Sequence, residues 1–124
     1  MSEQEEKILY LSTHGDEDLD KASIPFVLAN GALAMDVQTT LILQANAVRF
    51  AKKGFAENVP AGGGFPPIQK LLSDFIELGG TLQVCGPCIK ERGITPDDLI
   101  DNVAVTAAGQ VNIAALEANA VFVY

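Results

Sequence analysis

The feature that most constrains the fold is an alternation of short apolar runs with segments of helical spacing. The apolar runs lie at 7–12, 37–43, 81–84, 103–107 and 120–124. The helical patterns lie at 19–34, 68–78 and 111–118. Because parallel strands need a crossover, usually a helix, this alternation predicts a mostly parallel five-stranded sheet with helices on both faces. With 124 residues, we expect one α/β domain spanning 1–124.

The remaining segments are interpreted from their turn and capping residues. The stretch 45–53 is helical or irregular, and 56–67 is a loop because it holds three consecutive glycines and three prolines. We expect that loop to act as a lid or a subunit contact. Pro25 lies inside the first helical pattern and predicts a kink or a late start. Thr95, followed by a proline and two acids, predicts the start of a further helix.

Both cysteines stand directly after the third apolar run, in a Cys-Gly-Pro-Cys motif at 85–88. Ligands meet parallel sheets at the carboxyl ends of the strands, and the loops predicted there are 14–18, 44–47 and 85–90. The thiolate is the nucleophilic form of cysteine, and nearby cations lower the pKa of a thiol. We therefore predict Cys85 to be the reactive group, with its pKa lowered by Lys90 and Arg92.

Further candidate site residues surround Cys85 in this interpretation. Cys88 is the second thiol and can resolve a covalent intermediate on the first. His14, the lone imidazole, follows the first strand and acts either as a proton shuttle for a thiol or only as a turn residue. Gly86, Lys90 and Arg92 are the candidate binding residues. The two cations either hold an anionic sulfur species or form a solvated helix face.

Other interpretations of the cysteine pair stay open. Cys-Gly-Pro-Cys also occurs in the thioredoxin active site, but here it comes late in the chain and no Trp precedes it. The pair has the spacing of zinc ligands, yet structural zinc takes four ligands, so we expect no metal and no cofactor. The two cysteines can also simply pack as small buried residues.

The composition of the chain limits the cellular compartment and the binding partners that we expect. Hydrophobic residues make up 48% and charged residues 19% of the chain, so we expect apolar surface to be hidden between identical subunits. The net charge of −8 repels phosphate backbones, which argues against a nucleic-acid partner. The N-terminus lacks the pattern of a signal peptide, and no apolar stretch approaches the ~20 residues of a membrane span. We expect a cytoplasmic protein whose thiols stay reduced.

The sequence resembles the DsrE/DsrF-like family, which includes sulfur-relay proteins and YchN-like proteins. The resemblance covers almost the whole chain and is most specific where Cys85 is followed at a fixed distance by Arg92-Gly93. The other matching segments are Thr13-His14-Gly15, the alanine-rich helix through Ala34, Glu77-Leu78-Gly79-Gly80 and the closing strand 120–124. Cys88 is not part of the sulfur-carrier pattern of this family.

The resemblance implies a three-layer α/β/α fold, assembled as a homotrimer or homohexamer with the cysteine near a subunit interface. It also implies that Cys85 carries sulfane sulfur as a persulfide and passes it to a small partner of the TusA type. The leading hypothesis is a cytoplasmic sulfur carrier or sulfurtransferase in a sulfur-relay or sulfur-oxidation pathway. The alternatives are a dithiol redox protein, peroxiredoxin-like or sensing, that cycles a Cys85–Cys88 disulfide, and a non-enzymatic oligomeric binding protein.

Overall fold

A five-stranded, wholly parallel sheet organises the chain, as the alternation of apolar and helical segments predicts. The computed structural model describes residues 5–124; residues 1–4, part of the signal-peptide argument, lie outside that range. The strands are β1 Lys7–Ser12, β2 Gln38–Leu43, β3 Thr81–Cys85, β4 Val103–Thr106 and β5 Ala120–Val123. The α-helices are α1 Leu19–Ala34, α2 Ile68–Glu77, α3 Gly86–Glu91 and α4 Ala108–Glu117. The strand order is β4-β3-β2-β1-β5.

One face of the sheet carries the larger part of the core. Side chains alternate between the two faces of a strand, so Tyr10, Leu41 and Leu82, which are register partners, point the same way. They pack in one buried cluster with Phe26 of α1 and Phe75 of α2. The helices α1 and α2 therefore form one outer layer.

The opposite face of the sheet is covered by α4. Leu9 and Ile42, at 1% and 0% exposure, are buried but lie outside the large cluster, as their alternate positions in the strands require. The helix α4 runs between the two edge strands and contacts β1. The molecule thus has the three layers implied by the family resemblance.

Capping explains where α1 begins. The Oδ1 atom of Asp18 accepts a hydrogen bond from the backbone N–H of Lys21 at 3.1 Å, which satisfies a donor of the first turn. The helix starts at Leu19 and continues through the buried Pro25, so the late start considered for this proline is not observed. Val37 does not join β2, because its N–H bonds to the Ala32 carbonyl at the end of the helix.

The segment after Thr95 differs from the sequence-based expectation. Thr95 forms a capping box with Asp98, but only a single 3₁₀ turn, Pro96–Asp98, follows. The longer helix was wrong because Leu99 turns inward and forms an antiparallel bridge with Lys52. The glycine loop packs on the first turn of α1, where a Cβ at residue 62 would lie 2.7 Å from Leu19; its role as a lid or a subunit contact stays a prediction.

No helix among residues 5–124 is both long and apolar enough to cross a bilayer.

Candidate functional site

The carboxyl ends of β1, β2 and β3 bring three loops together, and the candidate site lies among them. The chain after β1 carries His14 and Glu17, the chain after β2 forms a 3₁₀ segment at Ala45–Ala51, and β3 passes directly into α3. Because the strands are adjacent and parallel, all three exits lie at one edge of the sheet.

Cys85 is both the last residue of β3 and the N-cap of α3. Its Sγ atom accepts a hydrogen bond from the backbone N–H of Cys88 at 3.3 Å. Both cysteines are reduced and half-buried. Gly86 follows because space is short: an added Cβ would lie 3.3 Å from Val105 and 3.4 Å from the Thr106 carbonyl oxygen. Gly86 thus packs closely against β4, and its role as a binding residue stays a prediction.

The pKa of the Cys85 thiol is raised above its ordinary value, which corrects the prediction of a lowered pKa. Burial is the main cause, because it disfavours the thiolate. The Cys88 thiol adds to the rise, while the Cys88 N–H and the charge of Arg92 act in the opposite direction. Lys90 does not assist: it is exposed and lines a separate groove with Gly93. The thiol is therefore held mostly neutral near neutral pH.

Arg92 is held by hydrogen bonds at the base of the cysteine loop. Its Nε donates to Asn46 Oδ1 at 3.1 Å, and its Nη1 donates to the Cys88 carbonyl oxygen at 3.1 Å. Asn46 in turn donates from Nδ2 to Glu17 Oε1 at 3.1 Å. One amide side chain therefore links a cation in the third loop to an anion in the first.

The Glu17 carboxylate accepts the hydrogen bonds that hold the first loop together. Its Oε1 also accepts the Gly15 N–H at 2.9 Å, and its Oε2 lies 2.9 Å from His14 Nδ1. Burial by itself raises the pKa of this carboxyl, but the hydrogen bonds from His14, Gly15 and Asn46 outweigh it, so the pKa is lowered. The Glu17 carboxylate therefore stays ionised and keeps its hydrogen bonds to His14, Gly15 and Asn46.

The structure brings together some of the predicted residues and not others. Cys85, Cys88 and Arg92 form one contact group. Within the described chain, the ring of His14 is bonded to Glu17 and not to a cysteine. Glu17 and Asn46 were not predicted as site residues. Their only sequence signal was their position in the loops 14–18 and 44–47.

Cys85 also lines a cavity of about 270 Å³ on the α4 side of the sheet. The other lining residues are Gln44, Pro87, Thr106, Ala107, Ala108, Val111 and Asn112. No group of three or more His, Cys, Asp or Glu side chains suited to a metal ion occurs among residues 5–124. The site thus presents a thiol at the mouth of a small cavity whose side chains are uncharged.

Residues 6–124 match the DsrE/DsrF-like family, which spans the sheet and all the loops described above. The chain belongs to this family. Its fold also agrees with solved structures. The ychN protein of E. coli superposes with a TM-score of 0.81 at 21% identity, covering 96% of this chain and 99% of that one. MTH1491 of Methanobacterium thermoautotrophicum gives 0.71 at 12% identity, covering 98% and 100%.

Two proteins of Methanocaldococcus jannaschii are similar to this DsrE/DsrF-like chain in sequence. MJ0989 is 34% identical over 95 residues, which cover 77% of this chain and 79% of that protein. MJ0760 is 28% identical over 105 residues, covering 83% of this chain but 37% of that protein. The similarity to MJ0760 therefore concerns only a part of the longer protein.

Replacing Cys88 with alanine should lower the pKa of Cys85, because both the hydrogen bond and the charge of the Cys88 side chain raise it. We expect several-fold faster alkylation of Cys85 by iodoacetamide near neutral pH, measured as a rate-against-pH profile. A raised folded-state pKa stabilises the fold below the unfolded pKa and loses that contribution as pH rises. Alkaline destabilisation should therefore be weaker in Cys88→Ala. An unchanged or upward-shifted alkylation profile would contradict this assignment.

Replacing Asn46 with alanine should separate Arg92 from Glu17 and lower stability by about 1 kcal/mol, because the exposed Glu17 and the half-buried Arg92 each lose a hydrogen bond. The lowered pKa of Glu17 stabilises the fold above its unfolded pKa, and that contribution is lost as pH falls. The stability gap between the Asn46→Ala variant and the parent, measured by urea unfolding, should narrow in acid. Asn58→Ala, which removes only a local bond to Gly54, is the control. A stability difference between the Asn46→Ala variant and the parent that does not change with pH would argue against this link between Glu17 and Arg92.

Proposed function

We propose that this protein is a sulfur carrier of the sulfurtransferase type that accepts sulfane sulfur on Cys85 as a persulfide. The observation that carries the proposal is the position of Cys85, which lines a cavity at the carboxyl edge of the sheet. The Cys88 N–H donates to that sulfur, and the charge of Arg92 favours its anion. Membership of the DsrE/DsrF-like family, whose fold is of the sulfur-relay type, supports the same chemistry.

The transfer needs no electrons from outside the reacting pair. The Cys85 thiolate donates an electron pair to the sulfane sulfur of a donor and forms a new S–S bond. The old S–S bond of the donor breaks, and its electron pair leaves with the donor fragment. An acceptor thiolate then attacks the outer sulfur, and Cys85 departs as a thiolate.

The raised pKa of Cys85 favours a carrier over a rapid catalyst. A thiol of high pKa is a strong nucleophile once it is ionised, but it leaves slowly when its persulfide is attacked. The sulfur is therefore retained until a partner arrives. A small sulfur-carrier protein of the TusA type is the acceptor that we propose, in a reducing compartment such as the cytoplasm.

A disulfide-forming role is the second candidate, and the contact between Cys88 and Cys85 favours it. The two residues are joined across one turn of α3 by the Cys88 N–H and Cys85 Sγ. A Cys88 thiolate that attacked the inner sulfur of a Cys85 persulfide would form the Cys85–Cys88 disulfide and release hydrosulfide. A protein that works by this step needs both thiols.

Incubation of the reduced protein with inorganic polysulfide should add one sulfur atom to Cys85, detected by intact-mass and peptide mass spectrometry. Cys85→Ser should lose the added sulfur. Cys88→Ser should keep the persulfide and hold it longer, because the resolving thiol is gone. An unmodified Cys85 would refute the carrier, and a product that consists only of the Cys85–Cys88 disulfide would favour the redox alternative.

Self-association is part of the proposal, as a homotrimer or homohexamer. Ile113 and Leu116 on α4 are 54% and 82% exposed, and Val123 on β5 is 63% exposed. Val121 and Val123 share a face of the sheet with Leu9, the face that α4 covers. This surface of α4 and β5 has no charged residue before Glu117 at the end of α4. Copies can therefore meet there without bringing like charges together, although each carries a net charge of −8.

Leu116→Glu and Ile113→Glu should lower the oligomeric state, because each would bury a carboxylate in the subunit contact. Light scattering coupled to size-exclusion chromatography measures the mass directly. Met35→Glu is the matched control, since Met35 is 77% exposed but lies at the end of α1. A monomeric parent, or α4 variants that associate as the parent does, would refute this interface.

A further inference from the structure

Lys90 is the cation of α3 that the site around Cys85 does not use. Arg92 is held beneath the cysteine loop, whereas Lys90 is exposed and lines a separate groove. Among residues 5–124, the Lys90 ammonium group has no hydrogen-bond or ion-pair partner, unlike those of Lys53 and Lys70. The groove beside it is therefore where this charge can act.

The groove lies between α3 and the edge strand β4, has a volume of about 370 Å³ and is called the α3–β4 groove below. Ile89 and Ile94, both buried, and Val105, which is 46% exposed, give it an apolar lining. Lys90 is the one charged residue among its eight lining residues, of which the other four are Gly86, Gly93, Thr95 and Pro96. An occupant that fits this lining is apolar over most of its contact and negatively charged at one point.

The strand β4 leaves one of its two edges without a partner. It pairs with β3 alone and ends the sheet on that side. Within residues 5–124, no backbone hydrogen bond joins Val103–Thr106 to any segment other than β3. Proteins usually protect such edges with charged residues, proline or a bulge, and β4 has neither a charged residue nor a proline. Its outer N–H and C=O groups can therefore pair with another strand.

Val105 belongs both to the open edge and to the α3–β4 groove. It is the register partner of Val84, and so it stands on the opposite face of the sheet from Cys85 and Thr106. A strand added to β4 would alternate in the same way, and every second side chain would enter the groove. Main-chain pairing at an edge, combined with a pocket for alternate side chains, is a common mode of peptide binding.

We propose that β4 and the α3–β4 groove bind an extended segment of another protein by strand addition. The segment carries apolar side chains at alternate positions and an aspartate or glutamate among them that faces Lys90. The chain as a whole has a net charge of −8, so only the local cation favours a carboxylate here. This surface lies on the other face of the sheet from the Cys85 cavity, and the inference does not depend on sulfur chemistry.

Selection of a random peptide library, displayed on phage, against the full-length protein tests the chemistry of the segment. We expect enriched peptides with apolar residues at every second position and an acidic residue in the same set. The affinity of a synthetic enriched peptide is then measured by fluorescence anisotropy. No enrichment, or a consensus without an acidic residue, would overturn the proposal.

Two N-methylated forms of the enriched peptide test the strand pairing without altering the protein. In an extended peptide, the N–H groups of alternate residues point to opposite edges. Methylation of the set that faces β4 should abolish binding, while methylation of the intervening set should leave the affinity nearly unchanged. Equal affinities of the two methylated peptides would rule out strand addition.

Charge reversal tests the role of Lys90. Lys90→Glu should weaken binding of the peptide about fivefold, because an exposed ion pair is replaced by two like charges. A peptide with lysine in place of its acidic residue should regain that affinity in the Lys90→Glu protein. Lys21→Glu, which makes the same change on α1, is the control and should bind as the parent does. Equal binding by the Lys90→Glu and Lys21→Glu proteins would contradict the contact.

Nitrogen-15 NMR spectra locate the bound peptide and separate it from other occupants. The largest amide shifts should fall in Val103–Thr106 and at Ile89 and Lys90. Shifts confined to α4 would place the peptide elsewhere and overturn the site. Signals of β4 that broaden with protein concentration in the absence of peptide would show that a second copy of the chain covers this edge, which would also overturn the proposal.

Discussion

The hydrogen-bonded chain from Glu17 through Asn46 to Arg92 is the interaction on which the site depends. A parallel sheet brings its loops to one edge but does not fix their relative positions. Here one carboxamide offers a donor to Glu17 and an acceptor to Arg92, so three loops close around a single side chain. The far end of Arg92 then holds the Cys88 carbonyl and with it the first turn of α3.

This arrangement sets the reactivity of the thiol through opposing effects. Partial burial at the end of β3 keeps Cys85 neutral, while the Cys88 N–H and Arg92 favour the anion. The neutral form prevails in the resting protein.

Much of the fold followed from the sequence because periodicity and turn residues are local signals. The strand Lys7–Ser12 and the helix Leu19–Ala34 were predicted with their observed limits. The helix-start residues at Thr95 were equally clear and the capping box forms, yet the buried Leu99 ends the segment after one 3₁₀ turn. The local sequence pattern does not show where tertiary packing will compete with a helix signal.

The site was harder to predict, for a physical reason. The cysteine pair is visible as a motif, but Glu17 and Asn46 come into contact only when loops 29 residues apart in sequence meet. The direction of the pKa shift also depends on burial, which spacing does not reveal. Lys90 and Arg92 look alike in the sequence, and only the fold separates an exposed cation from one held beneath the cysteine loop.

A crystal structure of the protein after treatment with a sulfane-sulfur donor tests the central claim most directly. The account predicts electron density for one additional atom bonded to Cys85 Sγ, directed into the cavity between α4 and β4, with Arg92 still bonded to Asn46. Continuous density between Cys85 and Cys88, or an unaltered Cys85 with the added sulfur elsewhere, would contradict it.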